Sequence, residues 1–428
     1  MLTVLITLFV LAYLAIALEH PLHVNKTATG LLAAGVLWSI YALGSGDAHL
    51  ISEQLGESLM GTAQIVFFLM GAMTIVEVVD AHNGFHILTS RIRTQSLSGL
   101  ILLVGVVSFF LSSVLDNLTT TIVMISLMRK LLGRRDDRLY FAGVIVIAAN
   151  AGGAWTPIGD VTTTMLWIGG QITALNIMET LILPSLVCLL VPLVAMAFTL
   201  RGQVVVPPEQ HDSVDSLGST TPFERNLMFF MGLGILVCVP IFKTVTHLPP
   251  FMGILLGLGL LWLVGDLVHK HKPDEEKAHL TLVHALTRID MSAVLFFVGI
   301  LLAVATLEHT HVLSALAQWL DHTLGRQDVI VMTIGVFSAI VDNVPLVAAS
   351  MGMYDLAKFP ADSFIWEFMA YCAGTGGSIL IIGSAAGVAA MGLEKIDFFW
   401  YMKKISLWAL LGYFAGAAVY IIQFQIFG

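Results

Sequence analysis

Apolar stretches of ~18–25 residues recur from one end of this chain to the other, and that is the length a bilayer core demands of a helix. They fall near 1–18, 28–44, 62–80, 97–128, 139–170 and 174–200, then near 226–241, 250–266, 291–308, 328–357, 363–394 and 398–426. Between the two sets lies a polar segment, Arg201 to Arg225, with Pro207-Pro208 and the run HDSVDS, which reads as an extramembrane linker. With 57% hydrophobic and 11% charged residues, the chain has too few polar side chains to coat water-facing domains, which carry about 25% charged residues. The formal charge of -9 sits mostly in loops and identifies no partner. There is no basic patch with interleaved aromatics, so nucleic acid is not expected. Cys188, Cys238 and Cys372 lie in apolar runs without CxxC spacing and read as small packed hydrophobes. The N-terminus lacks a basic leader and a small-residue cleavage site, so it reads as a retained first span.

The order of runs repeats, and local matches support a duplication. FFLMGAMTIVEVVD corresponds to FFVGILLAVATLE, LSSVLDNLTTT to FSAIVDNVPLV, and GGAWTPIGD to GGSILIIGS. These pair Gly71 with Gly299, Asp116-Asn117 with Asp342-Asn343, and Gly152 with Gly376, at offsets of 228, 226 and 224 residues. Three matches in one order at nearly one offset are hard to obtain by chance. The expected units are 1–200 and 226–428, joined by a cytoplasmic linker at 201–225.

Positive charge suggests how the runs cross. Lys and Arg collect on the cytoplasmic side of spans. Arg91 and Arg93 precede the run near 97–128, and Arg129, Lys130, Arg134, Arg135 and Arg138 follow it. A hairpin that enters and returns leaves both clusters on one side. Its middle holds SSVLDN, polar residues suited to a tip that lines a wet cavity. Each half then has five crossings and one re-entrant hairpin. Lys26 counts as a loop residue in this scheme, and only Lys243, Arg326 and Lys358 fall on the opposite face. Five is odd, so the second half starts from the other face. The expected fold is an all-α polytopic membrane protein of two inverted-topology repeats, each with a broken helix, with both termini periplasmic.

Ionised groups at bilayer depth are costly, so they need a partner or a function. The deep acids are Asp116, Asp160 and Asp342; Asp80 and Glu308 lie nearer span ends. No Lys or Arg shares their apolar segments, so they are expected to be uncompensated and to suit a cation or a proton. Asp116-Asn117-Leu118-Thr119-Thr120 forms the first proposed tip, a set of hard oxygen ligands. The structural alternative is that Asn and Thr cap the hairpin helices. Ser338, Asp342 and Asn343 repeat the pattern, with Pro345 placed to open the next helix. Asn150 and GGAWTPIGDVTTT form a second element, in which glycines and Pro157 break a helix and expose half-helix ends that bind ions. Asp160, Thr162 and Thr163 follow. The alternative for Gly152 and Gly153 is close helix packing. The second copy has Thr375, Ser378 and Ser384 but neither Pro nor acid, so the half-sites are chemically unequal.

His269, His271, His279 and His284 accompany Asp274, Glu275 and Glu276 and read as a solvated loop, with loop pH sensing as the sharper alternative. His82, His86, His309 and His311 stand at span ends and read as interfacial. No HExxH, GxSxG or phosphate loop is present, so neither an enzyme nor a cofactor is expected.

The paired Asp-Asn tips and the Gly-rich broken helices resemble the NhaD-type sodium/proton antiporters of the ion transporter superfamily, over nearly the whole chain. That superfamily also holds arsenite and dicarboxylate carriers. Dicarboxylate carriers place a neutral Ser-Asn-Thr motif at the tips; Asp116-Asn117 and Asp342-Asn343 favour cation/proton exchange. The resemblance implies functional positions at Asp116, Asn117, Thr119, Asn150, Asp160, Thr162, Thr163, Ser338, Asp342, Asn343, Ser378 and Ser384. Sodium is expected on Asp116, Asn117, Asp342 and Asn343. Asp160 ranks behind the tip aspartates, because its repeat partner is Ser384. The expected activity is exchange of sodium, and lithium, for protons by alternating access in a bacterial inner membrane. The partners are those ions, the lipid bilayer and, as an oligomer to test for, a homodimer. The rival reading is a carrier for a small anion, a dicarboxylate or metalloid oxyanion, on the same fold.

Overall fold

The computed structural model describes residues 1–45, 47–85, 94–206, 220–340 and 342–427. Arg91, Arg93, His86, Pro207-Pro208 and the HDSVDS run lie outside the described residues. Within them the chain is helical, with no strand beyond an isolated Ser96–Val204 bridge.

The first half holds α1 (Leu2–Ala17), α2 (Lys26–Ser45), α3 (Ala48–Ala81), α4 (Leu97–Ser112), α5 (Asn117–Leu131), α6 (Arg135–Ala154), α7 (Val161–Ile168) and α8 (Ala174–Thr199). The second holds α9 (Pro222–Thr246), α10 (Pro250–Val268), α11 (Met291–His309), α12 (Val312–Leu324), α13 (Gln327–Phe337), α14 (Asn343–Met353), α15 (Phe364–Gly376), α16 (Ala385–Glu394), α17 (Phe398–Lys404) and α18 (Ser406–Phe427). Among the described residues, seven helices are long and apolar enough to cross a membrane: α2, α3, α8, α9, α10, α11 and α18. Their outward faces are apolar: Leu43 is 88% exposed and Phe223 69%. Water would not tolerate such a surface over most of the molecule, whereas lipid does. The chain is a polytopic α-helical membrane protein.

Two places depart from the apolar runs. The run near 62–80 is the end of α3, which begins at Ala48 and has 34 residues. At 1.5 Å per residue it is ~50 Å long, well beyond a ~30 Å hydrocarbon core. Its start is fixed by Asp47, whose carboxylate accepts the Leu50 N–H at 3.1 Å. Lys26 is not in a loop; it is the first residue of α2.

The segments 97–131 and 327–353 are helix–turn–helix units. The open end of the first is held together by the chain that leaves α8. Leu97 N–H donates to the Gln203 carbonyl, Val205 N–H to that of Gln95, and Gly133 N–H to that of Val206. The basic residues on either side of the α5–α6 junction stay near: Arg129 and Arg138 donate to the buried Glu394 carboxylate at 2.7 and 3.1 Å. Each hairpin leans on an interrupted helix, α4 on α6 and α13 on α15. Here the glycines serve close packing. A Cβ at Gly152 would run into the carbonyl oxygen of Phe109, and one at Gly376 into that of Gly335. Elsewhere α2 packs along α11, α3 along α10 and α8 along α18.

Two histidine readings are corrected. His82 and His269 are buried, at 0% and 4% exposure, rather than interfacial and solvated. Their rings stack with Nε2 atoms 2.8 Å apart. The helix ends that carry them, at α3 and α10, are packed together, which periodicity within either segment cannot reveal.

Candidate functional site

Four helix N-termini meet at one cavity, those of α5, α7, α14 and α16. A helix N-terminus favours negative charge through its unpaired N–H groups and its dipole. Left uncapped, four of them would make an anion site. Three of the four are capped by carboxylates. Asp116 caps α5, its Oδ1 accepting the Thr119 N–H at 2.8 Å and its Oδ2 the Thr119 hydroxyl at 2.6 Å. Asp160 caps α7 through the Thr162 N–H at 3.0 Å. Asp342 caps α14 through the Val344 N–H at 3.2 Å. Ser384 caps α16 through the Gly387 N–H at 3.2 Å. Capping therefore falls to the aspartates, not to the Asn and Thr that follow them.

Asp160 is the hub. It is 2% exposed, and its Oδ2 receives the Asn117 amide at 3.1 Å and faces the Asn343 amide at 3.5 Å. Both hairpin tips thus reach one carboxylate oxygen. Asn117 also donates to Asn150 Oδ1 at 3.0 Å, and Asn150 donates to Ser384 Oγ at 2.9 Å. Asn150 in α6 links the interrupted helices of the two halves. Asn117, Asn150, Asp160, Asn343 and Ser384 form one hydrogen-bonded string, with Asp116 and Asp342 on the cavity wall beside it.

The remaining expected residues are placed differently. Thr119 is engaged with Asp116. The Thr162 and Thr163 hydroxyls are buried without a hydrogen-bond partner among the described residues. Ser338 donates to the Ala373 carbonyl at 3.0 Å, as Ser112 does to Ala149 at 2.6 Å, so both serines rivet a hairpin to its interrupted helix. Ser378 donates to the Thr375 carbonyl at 2.6 Å, and its own carbonyl accepts from Tyr401. Neither Ser338 nor Ser378 lines the cavity.

The cavity has a volume of about 370 Å³ and is lined by the carboxylates of Glu19, Asp116, Asp160, Asp290 and Asp342. Lys26 also lines it, and its ammonium lies 2.7 Å from Asp342 Oδ2. The expectation that all three deep acids stand uncompensated is wrong for Asp342. The lysine comes from the first turn of another helix, 316 residues away in sequence. Glu19 and Asp290 were also missed. Each sits just outside an apolar run, the position where a cap or interfacial residue is ordinarily expected. Thr27 and Ser292 bind each other at 2.9 Å and so bring the starts of α2 and α11, with their acids, to the cavity.

A polytopic helical protein whose acid-bearing cavity is built from two hairpin tips and two interrupted helices belongs to the class of membrane transporters. Residues 6–374 match the family described as citrate transporter (CitMHS). The chain is 52% identical over 415 residues to sodium/proton antiporter 1 of Arabidopsis thaliana, spanning 97% of this chain and 71% of that protein. It is 46% identical over 425 residues to sodium/proton antiporter 2 of the same plant, covering 97% and 98% of the two chains. It is 30% identical over 454 residues to the Na(+)/H(+) antiporter NhaD of Alkalimonas amylolytica, covering 98% and 90%. The chain belongs to the NhaD-type sodium/proton antiporters of the ion transporter superfamily.

Proposed function

We propose that this chain exchanges sodium for protons across a membrane, with lithium as an alternative cation, through the carboxylates of its central cavity. The observation that carries the reading is the charge of that cavity: among the described residues, five acids and one lysine are in its lining. A cleft of one sign within low-dielectric walls concentrates ions of the other sign. A citrate or other polyanion would meet five acidic side chains in an otherwise largely apolar wall, and Lys26, the basic residue among the described lining, is already paired with Asp342. This disfavours the anion-carrier reading, whatever the family description. The names of the relatives point the same way.

In this reading sodium binds among oxygens of Asp116, Asn117, Asp342 and Asn343, and Asp160 holds the tips in register from below. A carboxylate holds a proton or a cation, not both, and this exclusion couples the two fluxes. The halves 1–200 and 226–428 act as inverted repeats, and alternating access exposes the cavity to one face at a time. We place the protein in a bacterial inner membrane with both termini periplasmic. Single cysteines in the 129–138 and 269–288 segments should then resist labelling from outside intact cells; strong labelling of either would overturn this orientation. Sodium added to acid-loaded everted vesicles should dissipate the pH gradient, and an equimolar salt of an impermeant cation should not. Citrate-driven uptake with no sodium response would establish the anion carrier instead.

A further inference from the structure

The first turn of a helix is a poor place for a lysine, because the dipole places positive charge there. The backbone needs of α2 are met without its ammonium. Glu19 accepts the Lys26 N–H at 3.1 Å, and Asn25 accepts the Thr27 N–H at 2.8 Å. The side chain instead crosses to the second hairpin, where Nζ lies on Asp342 Oδ2 and 4.7 Å from the centre of the Phe296 ring. The pair is partly open to the cavity, with the lysine side chain 26% exposed and the aspartate 14%.

The tip that receives the lysine is the one whose carboxylate lacks a local second partner. Asp116 has Thr119 three residues on, and the hydroxyl of Thr119 takes its Oδ2. The residue three after Asp342 is Pro345, which has neither N–H nor hydroxyl to give. Asp342 Oδ2 therefore stays open to a cation, and Lys26 fills that place.

We propose that Lys26 is a tethered competitor of the transported cation: it occupies Asp342 when sodium is absent, and sodium must displace it to bind. This inference rests on the reading of the cavity as a sodium site and adds the residue that sets its affinity. Glu19 and Asp290 line the same cavity and would receive the displaced ammonium. A flexible four-carbon stem suits that swing; a rigid guanidinium fork would suit it less.

The test is the sodium dependence of proton flux at one fixed pH, in vesicles containing equal amounts of each protein. A tethered competitor acts at an effective concentration in the millimolar range or above. Lys26→Gln should therefore lower the sodium concentration for half-maximal exchange by about fivefold or more. Lys26→Arg, which keeps the charge on a fork less suited to the swing, should hold half-saturation at or above that of the wild type. A purely structural lysine would lower the maximal rate or the protein amount and leave half-saturation alone, and that result would overturn the proposal. In case Lys26→Gln fails to insert, a second measurement uses the wild type. Sodium should speed the labelling of Lys26 by a water-soluble amine reagent, read by peptide mass, and choline should not. Labelling indifferent to sodium would overturn the proposal. If wild-type vesicles showed no sodium-driven flux, the sodium reading itself would fall, and this inference with it. Normal wild-type flux with unshifted half-saturation in Lys26→Gln removes the competitor alone.

Discussion

The two hairpin tips carry the same Asp-Asn pair and satisfy it in different ways. At the first tip both oxygens of Asp116 are bound by Thr119, within one helical turn. At the second, one oxygen of Asp342 is bound by its own helix and the other by Lys26 from α2. One tip is self-contained and the other depends on a distant helix. The interrupted helices differ too, since Asp160 and Ser384 stand at equivalent caps. Local sequence decides this asymmetry: a threonine against a proline three residues after the tip, and an acid against a hydroxyl at the break. Two hairpins and two breaks of like form thus carry unequal caps at their helix N-termini.

The strongest way to break the comparison is to neutralise each tip. Asp342→Asn and Asp116→Asn should both abolish sodium-driven proton flux. Their stabilities should differ, however. Asn caps a helix about as well as Asp, so Asp116→Asn should melt in detergent near the wild type. Asp342→Asn leaves Lys26 without its carboxylate in a partly buried place. It should cost about 1–3 kcal/mol, between the values for exposed and fully buried pairs. Adding Lys26→Gln should recover the stability without recovering flux. Equal melting of the two single variants would remove the claimed asymmetry.

The breaks give the next contrast. Asp160→Ser makes the first break resemble the second and should reduce flux to background, because Oδ2 no longer gathers Asn117 and Asn343. Ser384→Ala loses an acceptor for Gly387 and Asn150 and should cost about 1 kcal/mol, with flux slowed rather than lost. Comparable flux in the two variants would deny Asp160 its central place. A smaller effect is expected for Thr119→Val, which frees Asp116 Oδ2. It should destabilise by about 1 kcal/mol and shift the sodium half-saturation; an unchanged half-saturation would mean that Asp116 does not meet the ion.

The smallest effect lies far from the tips, at the buried His82–His269 pair just past the ends of α3 and α10. Burial pushes the His82 imidazole down to about 4 from its ordinary 6.5, and pushes His269 down as well. The unfolded chain then binds more protons than the folded one between those values. The pair's contribution to stability is present above pH 6.5 and is lost as pH falls toward 4. Relative to the wild type, a His82→Gln/His269→Gln variant should show a shallower fall in melting temperature across that window. Parallel curves would mean that the pair does not titrate on unfolding.

Much of this architecture is legible along the chain. Hydrophobic runs of bilayer length identify the helices, and an Asp-Asn pair inside an apolar run marks both turns. Glycine clusters mark both interruptions, though their role is close packing against the hairpins. What linear reading missed depends on contacts between distant segments. Lys26 looks like a loop cation until α2 starts on it and its side chain crosses to another helix. Glu19 and Asp290 look like interfacial residues until Thr27 and Ser292 draw the ends of α2 and α11 together. Asp160 looks secondary because its counterpart is a serine. Its place as the acceptor facing both tip asparagines exists only once the hairpins meet. Ser378 is a candidate ligand by resemblance, but its hydroxyl is spent on the Thr375 carbonyl in the last turn of α15.

The central claim is that the acidic cavity couples sodium to protons. Purified protein in liposomes, given an imposed pH gradient and trace radioactive sodium outside, tests it directly. An acid interior should drive accumulation of labelled sodium, reversal of the gradient should drive its release, and Asp160→Asn should do neither. Sodium movement indifferent to the gradient, or wild-type accumulation by Asp160→Asn, would contradict the account.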